Sequence, residues 1–411
     1  MSMMASPSLA ERYLAVRAQT MRLCQGLEAE DMQVQSMPDA SPGKWHLAHT
    51  TWFFERFVLA GDSRYRIAEP DWHYLFNSYY QTVGPMHARP QRGLLSRPTL
   101  AHIHAWRARV DEAMATRLAD AVDPAQAATV ELGIQHEQQH QELFLTDILH
   151  AFWSNPLRPA YDAALSVQAR PCAPLRYVPG REGLVEIGHA GDGFAFDNER
   201  PRHRTLLGPH ALANRLVSQA EYAAFVQDGG YRKPPLWLSD GWAVVQREGW
   251  TRPLYWSEDL TAQFTLAGEV ALLPDAPVSQ LSFFEADAYA RWAGARLPTE
   301  MEWEAGAQTL PVAGNLLEDR PRLPQSAVGE GLLQMYGDLW EWTASPYVGY
   351  PGFKPLPGSL GEYNGKFMNG QWVLRGGSCA TPAAHIRATY RNFFPPHARW
   401  QFAGLRLARD I

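Results

Sequence analysis

Apolar residues recur three and four positions apart from Pro7 to about Trp153, the spacing that lines one face of an α-helix. Breaks in that period predict four helices. The first spans residues 8–27, with Ser8 as N-cap and Glu11 three positions on, the reciprocal capping arrangement. The second opens at Asp39 or Ser41 and runs through Trp45 to Ala60, and the third starts at Pro98-Thr99 and reaches about Ala121. The fourth, residues 130–153, carries Leu132, Ile134, Leu143, Leu145, Ile148, Leu149 and Phe152 at roughly helical spacing, with Gly133 as its one glycine. Four helices of about 20 residues with one long connection, residues 61–97, describe a four-helix bundle, a scaffold that builds metal sites from facing helices.

Past Asn155-Pro156-Leu157-Arg158-Pro159 the helical period stops. Residues 180–411 hold short apolar runs broken every few positions by Gly, Pro and Trp, which predicts irregular α+β structure with long loops and no repeat. The expected organisation is a helical bundle over residues 1–158, a linker over 159–179 and a second domain over 180–411, giving an α+β protein.

A chain of 411 residues is long enough for two or three such domains. Its formal charge of −6, from 37 basic and 43 acidic side chains, offers no footprint for nucleic acid or an anionic membrane. No apolar run approaches the roughly 18 residues of a membrane span, and residues 1–11 lack the basic and apolar regions of a signal peptide. Three scattered cysteines, Cys24, Cys172 and Cys379, argue against a disulfide framework and for a reducing, cytoplasmic compartment. Oligomeric state has no signature here.

The chemistry concentrates in His136-Glu137-Gln138-Gln139-His140-Gln141-Glu142, on the polar face of the fourth helix. Histidines four apart stand one above the other, so both imidazoles can reach one metal ion; accidental pairs on solvated faces share the spacing. A third ligand is available from the second helix, in Trp45-His46-Leu47-Ala48-His49-Thr50, where His46 and His49 share a face. Three neutral imidazoles leave up to three positions open for substrates and a diatomic gas, the arrangement of a catalytic metal. Glu142 is an acceptor suited to fixing a histidine tautomer. The same helix also fits the H-E-x-x-H pattern of zinc metallopeptidases, with Glu137 as base. Against that, no Gly-x-x-His follows, and no Glu occurs between Glu142 and Glu182 to complete the ligand set. A third alternative is a non-catalytic metal-binding adaptor.

The run from Trp45 through His49-Thr50-Thr51-Trp52-Phe53-Phe54-Glu55, followed by His136 to Glu142, resembles the bundle domain of the ergothioneine-biosynthesis sulfoxide synthases. Their DinB-like bundle carries an H-x-x-x-H-x-E motif and a third histidine in an L-A-H element. The second half resembles the formylglycine-generating-enzyme (sulfatase-modifying-factor) fold, a C-type-lectin-like domain. Its elements appear in order: Asp197-Asn198-Glu199-Arg200-Pro201-Arg202-His203, Pro277-Val278-Ser279, Arg296-Leu297-Pro298-Thr299-Glu300, Gly337-Asp338-Leu339-Trp340-Glu341-Trp342-Thr343, Arg375-Gly376-Gly377-Ser378 and Gly404-Leu405-Arg406-Leu407-Ala408. Selenoneine synthases share this architecture.

The resemblance implies a non-heme iron(II), O2-dependent enzyme that joins a chalcogen to imidazole C2 of hercynine (trimethylated histidine). It implies His49, His136 and His140 as the Fe(2+) ligands, leaving His46 a supporting or packing role and Glu137 none in the chemistry. Gln139 matches a glutamine lining the hercynine pocket, and Asn392 an asparagine that holds the same substrate. Mycobacterial relatives, which use γ-glutamylcysteine, follow Arg-Asn with Trp-Asp, the Asp contacting the second substrate; here the run is Arg391-Asn392-Phe393-Phe394-Pro395-Pro396. That departure favours the subtype in which Asn77-Ser78-Tyr79-Tyr80 supplies an active-site tyrosine, Tyr79 or Tyr80, and cysteine donates sulfur. A selenosugar donor stays open. Hercynine's carboxylate calls for cationic donors, for which Arg89, Arg92 and Arg97 are available in the long connection, and its quaternary ammonium for aromatic faces, for which Phe393 and Phe394 are candidates. Arg387 and Arg391 are expected to form structural pairs. Formylglycine generation itself needs a cysteine pair, and beyond the linker region the second half has Cys379 alone.

Overall fold

The computed structural model describes residues 7–167 and 170–411. The chain divides into two compact units, Met1–Leu157 and Arg158–Ile411.

The first unit is helical: α1 Leu9–Leu23, α2 Gly43–Phe54, α3 Trp72–Phe76, α4 Leu100–Ala119 and α5 Pro124–Ser154. Both α1 and α2 pack against α4 and α5. The capping box of Ser8 and Glu11 opens α1, but the helix ends at Leu23 rather than near residue 27, and Gly26 follows with φ +87°, a left-handed turn that a helix does not continue through. Neither Asp39 nor Ser41 caps α2. Pro42 occupies that position, and the end of the predicted helix widens into a π-helical segment, Glu55–Leu59. Thr99 caps α4 by accepting from the His102 amide. The fourth predicted helix, α5, begins at Pro124, one and a half turns before residue 130, with the Asp123 side chain accepting from Gln126 N–H and Pro124 at the first helical position. The polar first turns of α5 carry no apolar face, so periodicity passes over them.

Every residue of α2 is buried, which is why its sequence is apolar on all sides rather than striped. It packs tightly against α5 at Gly133, where a Cβ would stand 2.5 Å from Phe54 Cε1 and 2.8 Å from Phe53 Cε1. At the polar centre sits Glu137, with no exposed surface. Its carboxylate accepts from Arg17 Nη1 of α1 (2.9 Å), Thr20 Oγ1 of α1 (2.6 Å) and Arg107 Nη2 of α4 (2.5 Å). Arg17 also donates to Thr51 and Arg107 to Thr50, both on α2. One carboxylate thus ties all four long helices together.

The second unit begins with a strand inside the expected linker: β1 Tyr177–Pro179 pairs antiparallel with β4 His210–Ala213, which also pairs with β11 Ala408–Asp410. A second sheet orders β10 Ala403–Gly404, β7 Trp340–Pro346, β8 Trp372–Arg375 and β9 Asn392–Phe394. Two hairpins complete the strands, β2 Gly183–Ile187 with β3 His203–Leu207 and β5 Ala262–Thr265 with β6 Gly268–Ala271. Helices α6 Gln219–Gln227, α7 Ser239–Glu248, α8 Phe283–Trp292 and α9 Glu300–Ala307 flank them. Strands this short inside long loops carry little period-two signal. Buried ion pairs hold the loops: Arg391 with Glu300 (2.8 Å), Arg406 with Glu341 (2.8 Å), Arg375 with Glu304, and Arg387 with Glu199. Arg387 and Arg391 are therefore structural, as expected.

A candidate metal centre between two helices

Helix α2 carries His46 and His49 on the face that meets His136 and His140 of α5. His49, His136 and His140 are buried, and one ring nitrogen from each lies within 4.8 Å of the others. His49 Nε2 and His136 Nε2 are 3.2 Å apart. Two imidazole nitrogens each about 2.1 Å from one ion and at right angles to each other stand about 3.0 Å apart, so the spacing suits a shared metal. The remaining nitrogens fix the tautomers. His49 Nδ1 donates to the Phe76 carbonyl at 2.6 Å, and His140 Nδ1 meets His46 Nδ1 at 2.8 Å, which leaves Nε2 of each ring bare. His136 Nδ1 is buried without a hydrogen-bond partner. The ring of His49 is sandwiched between Trp45 (4.6 Å, 14°) and Trp52 (5.6 Å, 13°), which fixes its plane.

Electrostatics favour the ligand form. Burial, then the neighbouring imidazoles, holds His49 and His140 well below the ordinary histidine range. Burial lowers His136 to about 4 despite the opposing pull of Glu137. All three are neutral near pH 7, as metal ligands must be. In the unfolded chain these side chains take up protons near 6.5, so below that pH the unfolded state binds more protons than the native one. The metal-free protein should therefore lose stability as pH falls from 6.5 toward 4, and a thermal midpoint that stays flat across that window would contradict the burial of three neutral imidazoles.

Tyr79 brings its hydroxyl to 3.4 Å from His136 Nε2, with its ring edge-on to His49. The Tyr80 ring packs against Trp52, Phe57 and the ring of Tyr79. The turn that separates them is held by Asn77, whose side chain accepts from the Tyr80 amide and donates to the Tyr80 and Gly84 carbonyls. Arg92 is buried, its guanidinium 3.3 Å from the centroid of Trp45, and donates to Ser41 Oγ (2.9 Å) and Ser78 Oγ (3.0 Å). Among the described residues no carboxylate forms an ion pair with it. Burial and the nearby Arg89 pull its pKa down to about 9, against the opposing pull of Tyr79 and Asp147. Arg89 and Arg97 are exposed, and Gln139 is half-buried on α5 between His136 and His140.

In the second unit, Asn392 opens β9 and its side-chain oxygen accepts from the Phe393 amide. Phe393 stacks on Tyr347 (4.1 Å, 12°) and Phe394 meets Trp400 edge-on. Glu137 faces α1 and α4, where burial alone would raise its pKa but Arg107 and Arg17 hold it down at about 2, so the carboxylate stays ionised and bound to those guanidiniums. Sequence reasoning gave the tautomer-fixing role to Glu142; on His140 that place is taken by His46, and behind it stands Asp147, which sequence reasoning missed. Its signal was the seven-residue spacing from His140, two turns along the same face of α5.

Residues 177–319 and 321–411 match the Sulfatase-modifying factor enzyme 1-like domain family, which accounts for the second unit. That half is 29% identical to the formylglycine-generating enzyme of Streptomyces coelicolor, a match spanning 61% of this chain and 95% of that protein. Two further relatives extend over both units. The hercynine oxygenase of Mycolicibacterium thermoresistibile is 34% identical across 98% of this chain and 95% of its own length. The hercynine oxygenase of Mycobacterium tuberculosis is 33% identical across 99% of this chain and all of its own. The protein thus combines a helical unit bearing a histidine cluster with a sulfatase-modifying-factor domain. The chain belongs to the hercynine oxygenase family.

Proposed function

We propose that the chain is a non-heme iron(II) enzyme that uses O2 to join a chalcogen to imidazole C2 of hercynine, within ergothioneine or selenoneine formation. The observation that carries the reading is the buried trio His49, His136 and His140, with neutral imidazoles converging on one point and a tyrosine hydroxyl beside them. Iron held there would bind and activate O2. With cysteine as donor, C2–H and S–H each give up a hydrogen, and O2 supplies the sulfoxide oxygen and one water; a selenosugar would deliver selenium instead.

The protein's own groups divide the remaining work. Tyr79 Oη is positioned to hand over and recover a proton next to the metal, whereas Tyr80 packs. Arg92, a buried cation that no carboxylate pairs directly among the described residues, offers its guanidinium to a substrate carboxylate. Arg89 contributes positive charge from the surface. Gln139 is a further proposed substrate contact of the first unit; Asn392, Phe393 and Phe394 are those proposed for the second unit by itself, with Phe394 at the sequence position of the acidic contact to γ-glutamylcysteine. Two rival readings lose support. A metallopeptidase needs Glu137 free to act as base, and its carboxylate is consumed by Arg17, Arg107 and Thr20. Formylglycine generation needs paired cysteines, and beyond the linker region the second unit has Cys379 alone, which is buried.

Tyr79→Phe should lower product formation by about 100-fold with iron content unchanged, while Tyr80→Phe stays within a few-fold of the parent. Weighing the products formed from hercynine with cysteine, γ-glutamylcysteine or a selenosugar identifies the donor. Equal loss in the two variants would contradict the assignment of Tyr79.

A further inference from the structure

We propose that Asp147 is a positioning residue for the metal centre, acting through His46 to fix the ring of His140; the inference rests on the three-histidine reading above. Asp147 Oδ2 accepts the Ser41 backbone N–H at 2.8 Å and lies 3.0 Å from His46 Nε2. A carboxylate only accepts, so a neutral His46 carries its one proton on Nε2 and presents a bare Nδ1. That Nδ1 lies 2.8 Å from His140 Nδ1, which must therefore be the donor. Proton positions are thus dictated in series from the carboxylate outward, and the series ends with a lone pair on His140 Nε2, the nitrogen left for the metal.

The three ligands are not held alike. Among the described residues His49 is backed by a neutral carbonyl and His136 Nδ1 has no hydrogen-bond partner, whereas His140 has a carboxylate behind it through His46. Asp147, His46 and His140 are all buried, so water does not substitute for any link. An imidazole whose far nitrogen is polarised by a carboxylate is a more basic ligand and is locked in orientation. His46 passes that polarisation across the gap between α2 and α5, and it also spans the two helices that must stay in register for the site to exist.

Asp147→Asn retains the shape and an acceptor oxygen but removes the charge. Co2+ titrated into the metal-free full-length protein and followed by its visible absorption should bind about 10- to 100-fold more weakly to this variant, with altered d–d bands and an unchanged circular dichroism spectrum. Parental affinity and bands in Asp147→Asn would overturn the proposal. A second measurement needs no variant: long-range 1H–15N correlation spectra of the metal-free protein should show His140 protonated at Nδ1 and bare at Nε2. An Nε2-protonated His140 would overturn the relay even if Asp147→Asn failed to fold. Absence of Co2+ binding to the parent protein would instead remove the three-histidine reading, and with it this one.

Discussion

His136→Ala should yield a folded protein that no longer retains iron. The substitution removes one of three converging nitrogens and leaves two, too few to hold a divalent ion against buffer and water. Its structural cost is bounded: His136 makes no hydrogen bond through Nδ1, and the buried volume lost resembles that of other large-to-small core changes, about 2–4 kcal/mol. The helical circular dichroism signal should persist while iron, measured after anaerobic loading and desalting, falls to background. Full retention of iron would contradict the ligand assignment.

Glu137→Ala should do the reverse. Here the damage is to the fold, because Arg107 loses its carboxylate and Arg17 keeps only Asp111, both side chains staying buried at 2% exposure. Breaking a buried pair in this way costs about 3–5 kcal/mol, most of it from Arg107, which no other carboxylate pairs among the described residues. The denaturant midpoint should drop steeply, and the protein that remains folded should still bind iron. A stable Glu137→Ala protein that binds metal but has lost hydrolytic activity would revive the peptidase reading.

These opposite outcomes come from neighbouring residues, and their difference marks what the sequence could reveal. The i, i+4 spacing of His136 and His140 and the helical period around them were legible because a helix converts spacing into direction. The second helix was legible as the source of a third histidine, but its period left His46 and His49 equal, and the family resemblance chose His49. Glu137 was ambiguous: one position along the helix turns a side chain by about 100°, so the same motif that aims the histidines at α2 aims Glu137 at α1 and α4, and only packing reveals that Arg17 and Arg107 wait there. Choosing between Tyr79 and Tyr80 likewise depended on the hydrogen bonds of Asn77, a turn whose direction no periodicity encodes. In the second unit the motifs gave the order of the elements, but β1 lay hidden in the expected linker. A three-residue strand ending in Pro179 gains its identity from its partner β4, not from its own composition.

The most direct test of the central claim is to load the metal-free protein with Fe(II) under anaerobic conditions, remove excess metal, and follow O2 consumption on adding hercynine and a chalcogen donor. The account predicts about one iron per chain, following from a single three-histidine site, and O2 uptake that requires hercynine together with the donor. Tightly held zinc with peptide hydrolysis, or O2 uptake indifferent to hercynine, would contradict it.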